Sequence, residues 1–91
     1  MRKCLIITVH GSVQTVAQKN TIQKHAQTLF IEGTLQSQED GVIIHACGIS
    51  DNLDKFIDTI YGVIDKSKIK NVEAEPFISE KGYRGAFRII G

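Results

Sequence analysis

The chain has 91 residues, 42% hydrophobic and 23% charged, with a single proline and no tryptophan; this is room for one domain, residues 1–91, with the balance of a globular rather than a disordered protein. Eleven basic and ten acidic residues leave a formal net charge of +1, too weak a field to gather nucleic acid or anionic lipid, so any bound anion must be held by local groups. No apolar run approaches the roughly 18 residues that span a bilayer, and the segment from Met1 through the apolar residues 4–9 is too short for a signal peptide, so the expected location is the cytoplasm.

In chain order, the β-branched and apolar residues 3–9, closed by His10-Gly11, predict a central strand. Ile22, Ala26, Leu29 and Phe30 then recur at helical spacing opposite Gln23, Lys24, Gln27 and Thr28, which predicts an amphipathic helix, with Gly33 placed to take a left-handed turn beyond it. Residues 34–38 and 42–47 flank Glu39-Asp40-Gly41, and Asp-Gly between two strand-like runs signals a hairpin whose central residues tolerate positive φ. A second helix starts near Ser50, whose hydroxyl is placed to cap it, with Asp51 and Asp54 in the first turn and Leu53, Phe56, Ile57, Ile60 and Ile64 along one stripe. Residues 71–75 alternate up to Pro76, and Lys81-Gly82-Tyr83-Arg84-Gly85 leads into a short last strand over 86–90. The order β-α-β-β-α-β is the ferredoxin-like split βαβ arrangement, an α+β sandwich with two helices on one face of an antiparallel sheet and the first and third strands central. That architecture hosts many unrelated functions, so topology alone names no chemistry.

The reactive side chains read plainly. Cys4 and Cys47 lack a CxxC spacing, which argues against zinc or a thioredoxin-type pair and leaves two reduced, partly buried thiols as the expectation. His10, His25 and His45 show neither i,i+4 spacing nor a shared acidic neighbour, so they are expected at the surface or half-buried, with no metal. Glu39 and Asp40 are adjacent carboxylates better explained by the hairpin than by a catalytic pair. Ile22, Leu29, Phe30, Phe56, Ile60 and Phe87 are expected in the core. Lys19 falls near the start of the first helix, where unpaired backbone N–H groups and the positive end of the dipole favour an anion. An RNA-binding module of the same topology would need exposed aromatics on the central strands and a basic sheet face, and the chain has neither.

The stretch Val9-His10-Gly11-Ser12-Val13-Gln14-Thr15-Val16-Ala17-Gln18-Lys19 resembles the phosphate loop of the acylphosphatase family, which reads aliphatic-x-Gly-x-Val-Gln-Gly-Val-x-aromatic-Arg. Val9, Gly11, Val13, Gln14 and Val16 match, while Thr15, Gln18 and Lys19 depart. Gly33 and Gly41 keep the family spacing, and Phe87-Arg88-Ile89 is similar to its terminal Phe-x-Ile. Between Gly41 and Gly48 the chain is one residue shorter than the family pattern, which leaves open which residues of the third strand face the core.

The resemblance implies hydrolysis of the carboxyl-phosphate bond of acyl phosphates without metal, cofactor or covalent intermediate. In that chemistry loop amides and an arginine hold the phosphate while an asparagine orients the attacking water. Lys19 falls at the arginine position and Ser37 at the asparagine position, so these are the candidate catalytic residues. Gly11, Ser12, Val13, Gln14, Thr15, Val16, Ala17, Gln18 and Lys19 are the candidate phosphate-binding residues. Lysine lacks the planar fork of arginine, serine reaches less far than asparagine, and Thr15 and Ala17 replace positions that are commonly glycine in the family. Thr15 is moreover β-branched and resists positive φ. Hydrolysis is therefore expected to be weak or lost, the alternative being a non-catalytic module that binds phosphate, another anion or a protein. The expected partner is a small phosphorylated molecule or inorganic anion, with a monomeric chain and no nucleic acid or membrane.

Overall fold

The structure is a computed structural model and describes residues 2–13, 15–64, 66–79 and 82–90. Its elements are β1 (Arg2–Gly11), α1 (Val16–Thr28), β2 (Glu32–Gln38), β3 (Gly41–Ile49), α2 (Ser50–Val63), β4 (Ile69–Pro76) and β5 (Phe87–Ile90), with a 3-10 turn at Lys66–Lys68 before β4. The strands form one sheet in the order β4-β1-β3-β2-β5, so the apolar β1 and β3 lie inside it. The split βαβ topology is present, with one correction: the sheet is mixed, because β5 pairs parallel to β2, with Gly33 opposite Phe87 and Gln36 opposite Ile90. Leu5 opposes Pro76, so β4 leaves the sheet at the end where β1 begins. A connection that crosses along that end re-enters beside β2 in β2's own direction. Lys81, in that connection, lies outside the described residues.

Strand alternation sends Leu5, Ile7, Val9, Leu35 and Phe87 to the helix side, where they pack on Ile22, Ala26, Leu53, Phe56, Ile60 and Ile64. The rings of Phe56 and Phe87 meet edge to face at 6.0 Å. On β3 the facing is now determined: Val42 and Ile44, opposite Val9 and Ile7, are buried with Ala46 in the core, and Ile43, His45 and Cys47 point to the other face.

Several expectations are overturned. Phe30 is 84% exposed; α1 ends at Thr28 and Phe30 takes φ 55, so the chain turns off the helix axis before the apolar period reaches the core. Phe30 supplies the left-handed residue directly after the helix, and Gly33, inside β2, carries positive φ as well, 146, at a point where an added Cβ would overlap the His45 carbonyl oxygen. Leu29 is only partly buried.

Cys4 and Cys47 are joined in a disulfide rather than free, with Cα atoms 4.1 Å apart. They sit directly opposite each other on β1 and β3, a neighbourhood created by strand register and invisible in sequence spacing. Ser50 is the first residue of α2 rather than its cap; Ile49 holds the cap position without a side-chain bond, and Asp51 is the acid of the first turn.

The hairpin is where it was expected, for another reason. Gln38 opposes Gly41, leaving Glu39 and Asp40 as the loop, and neither has positive φ. Gly41 instead carries φ 152, at a point where an added Cβ would overlap the Val9 carbonyl oxygen. No helix among the described residues is long and apolar enough to cross a membrane.

Candidate functional site

β1 ends at Gly11, whose φ of 136 brings its backbone so close to the Lys68 carbonyl that a side chain would overlap it. The chain is pinned there on both sides. Gly11 N–H donates to the Asp40 carbonyl at 2.8 Å, Ser12 N–H to the Lys68 carbonyl at 2.9 Å, and Val13 N–H to the Gly11 carbonyl at 3.0 Å. Val13 is fully buried and roots the loop in the core. Gln14 lies outside the described residues.

Thr15 takes the cap position of α1 with φ −66 and ψ 151, an extended conformation open to a β-branched residue. Its Oγ1 accepts from the Gln18 N–H at 3.1 Å, and Gln18 Oε1 accepts from the Thr15 N–H at 3.1 Å. The Thr15 hydroxyl also donates to Gln18 Oε1 at 2.9 Å, and Gln18 Nε2 donates to the Ser12 carbonyl at 3.3 Å. Thus two of the positions that depart from the family loop form a capping box. The signal was available as Thr15-x-x-Gln18, the spacing at which each side chain reaches the other's backbone. Since Gln18 N–H is satisfied by the cap, the first-turn donors without a helical carbonyl partner are those of Val16 and Ala17.

Lys19 and Ser37, far apart in sequence, meet: Lys19 Nζ donates to Ser37 Oγ at 3.2 Å. Two periodicities bring them together. Lys19, Ile22 and Ala26 stand at i, i+3 and i+7, so Lys19 continues the buried stripe of α1 toward its N-terminus. Ser37 lies two residues beyond buried Leu35 and opposite buried Val42, so it faces the helices where β2 runs out of the core. Lys19 is half-buried and Ser37 exposed.

The same end of β1 carries a charged cluster that sequence spacing does not show. His10 lies between two carboxylates, with Nδ1 3.8 Å from Asp40 Oδ2 and Nε2 3.6 Å from Glu73 Oε1. Lys70 Nζ is 3.5 Å from Asp40 Oδ1, and Asn71 Nδ2 donates to Glu73 Oε1 at 3.1 Å. His10 is half-buried, as are His25 and His45, and it gains these acidic neighbours because the hairpin tip and β4 close on β1 from opposite sides. The two carboxylates approach opposite edges of one imidazole and do not converge on a point; no group of three His, Cys, Asp or Glu side chains among the described residues is arranged to hold a metal. His45 packs edge-on against Phe77 at 5.4 Å.

A recess of about 390 Å³ lies against the loop, lined by Gly11, Ser12, Thr15, Glu39, Asp40 and Lys70. Lys19 and Ser37 are outside its lining. Two carboxylates make that recess a poor seat for an anion, whereas Lys19, outside that lining, brings a cation to the first turn of α1.

Comparison with known proteins shows the family and the fold. The family model described as Acylphosphatase matches residues 5–89. An acylphosphatase of Listeria monocytogenes is 40% identical over 60 residues, covering 65% of this chain and 64% of that protein. Its counterpart from Listeria welshimeri is 38% identical over the same length. The matched stretch thus spans a little less than two thirds of those relatives. The crystal structure of acylphosphatase from Bacillus subtilis superposes with a TM-score of 0.82 at 27% identity and full coverage of both chains. An acylphosphatase from Coxiella burnetii, at 24% identity and a TM-score of 0.83, covers 98% of this chain and 93% of its own and shares the fold.

Proposed function

Since this chain belongs to the acylphosphatase family, we propose that Lys19 and Ser37 mark an acyl-phosphate site that holds the phosphate well and hydrolyses it slowly. The observation that carries this reading is the 3.2 Å contact between Lys19 Nζ and Ser37 Oγ. The two side chains at the family's catalytic positions face one small volume at the start of α1.

The phosphoryl group sits against the Lys19 ammonium and the N–H groups of Val16 and Ala17, where the helix dipole adds to the attraction. Gly11, Ser12 and Val13 shape the loop rather than donate to the anion, since their amides are already bonded within the protein. Thr15 and Gln18 hold the helix end in place. Phosphoryl transfer rests on positioning and on neutralising charge at the equatorial oxygens, so this set needs no metal or cofactor.

Slowness follows from the side chains. Lysine supplies a mobile point charge instead of a two-pronged fork, which binds the phosphate without aligning it. Serine offers one hydroxyl, already occupied as an acceptor, where an amide would present a fixed donor and acceptor to a water. Loss of a single oriented donor costs about 10²- to 10³-fold, and two losses at one site do not simply multiply.

The test is benzoyl phosphate hydrolysis by the native chain, Lys19→Arg, Ser37→Asn and the double variant, with folding checked by circular dichroism. The double variant should gain about 10²-fold or more over the native chain, with each single change giving less. A well-folded double variant without gain contradicts the reading, as does a native rate already equal to the double variant's. The alternative, an anion-binding module with no hydrolysis at all, corresponds to phosphate binding without turnover in every variant.

A further inference from the structure

An asparagine at the position of Ser37 offers only an amide, which orients a water but is a poor attacking group. Ser37 places a hydroxyl there instead, and a hydroxyl is itself a nucleophile. Its Oγ lies 3.2 Å from Lys19 Nζ. An ammonium has three donors; with one on Oγ, the other two are open to the phosphate oxygens, so one cation holds nucleophile and electrophile together. Ser37 is exposed at the edge of the core, so an anion reaches it without any rearrangement of packed side chains.

Resting on the acyl-phosphate reading above, we propose that Ser37 is a phosphoryl acceptor: an acyl phosphate bound at Lys19 transfers its phosphoryl group to Ser37 Oγ. The Oγ–phosphorus bond forms as the bond between phosphorus and the acyl oxygen breaks. The carboxylate leaves with the bonding pair, the hydroxyl proton passes to water, and nothing is oxidised or reduced. A loose transition state asks for little prior removal of that proton, so the step requires alignment more than a strong base. The phosphoserine formed stays beside the Lys19 ammonium and the amides of Val16 and Ala17, where its charge is paired. It then fills the anion site, so the label does not exceed one per chain, and further turnover by a labelled chain waits on slow loss of the phosphoryl group to water.

The full chain is incubated with acetyl phosphate at neutral pH, or with inorganic phosphate as control, and its mass and phosphopeptides are measured. One HPO₃ unit should appear on Ser37 with acetyl phosphate and none with inorganic phosphate. Ser37→Ala should abolish it, Ser37→Thr should retain it, and Lys19→Met should slow it about 10-fold or more. Serines such as Ser12 and Ser50, and chemically unfolded chain, should stay unlabelled. A phosphate titration of the native chain by NMR runs in parallel. Saturable phosphate binding at Lys19 with Ser37 unmodified overturns the acceptor role and leaves the anion site standing. Absence of both binding and label overturns the two together, and label spread over other serines overturns the acceptor role.

Discussion

The β1–β3 pair has two ends, each feeding a helix, and they are built in opposite ways. At one end Cys4 is bonded to Cys47, and two residues later Ile49 opens α2 with no side-chain cap. That helix start relies on burial of Leu53 and on its own first-turn carboxylate, Asp51. At the other end Gly11 is held by backbone bonds to Asp40 and Lys68, and α1 opens with the Thr15–Gln18 capping box, no acid in its first turn, and Lys19 directed to Ser37. Both helix starts carry a partial positive charge. The tied end neutralises it with a residue of its own, while the open end adds a further cation and leaves two amides without a helical partner. The difference teaches that a carboxylate is absent from α1 at the place where an external anion would substitute for it.

The largest effect that would break this contrast is reduction of Cys4–Cys47. The link closes a sequence separation of 43 residues, and in the chain-entropy description such a loop is worth about 4 kcal/mol. Urea unfolding with and without reductant should show that loss, while phosphate affinity of the folded chain stays within about twofold. Unchanged stability would mean that the end is not covalently tied in solution.

Leu53→Ala should come next, at about 3 kcal/mol, since Leu53 is fully buried and its removal leaves a cavity under the start of α2. Chemical denaturation checks this, and a cost below about 1 kcal/mol would show that the α2 start does not rest on burial. Thr15→Ala should cost about 1 kcal/mol by removing the capping box, read as a lower thermal midpoint. Because the Gln18 N–H is then released, added phosphate should restore part of that stability, which no structural role of Thr15 alone would produce. Asp51→Asn should cost only about 0.5 kcal/mol, and this smallest effect should fade in high salt as expected for a carboxylate acting on a helix dipole.

The sequence was most legible where structure is set by local period. The β-branched, apolar run of residues 3–9 and the 3.6-residue stripe through Leu53, Phe56 and Ile60 placed β1 and α2, and the Asp40-Gly41 pair located the hairpin. Phe30 misled because its period continues past the residue at which the backbone turns left-handed. The disulfide, the His10 cluster and the parallel β5 were not legible, because each depends on which strand becomes a neighbour of which, and that is decided by register and by the route of a connection.

The candidate site divides in the same manner. That Lys19 and Ser37 belong together was visible through the family spacing of Gly33 and Gly41, whereas the capping box was written in the local sequence and obscured by reading Thr15 as a misplaced glycine.

The central claim, that the open end of the β1–β3 pair is an anion site centred on Lys19, is tested most directly by titrating ¹⁵N-labelled chain with inorganic phosphate and following the backbone amides. The account predicts saturable shifts concentrated on Val16, Ala17 and Lys19, weakened at high salt and lost in Lys19→Met, with Asp51 and its neighbours unmoved. Shifts of equal size at both helix starts, or an affinity unchanged in Lys19→Met, would contradict it.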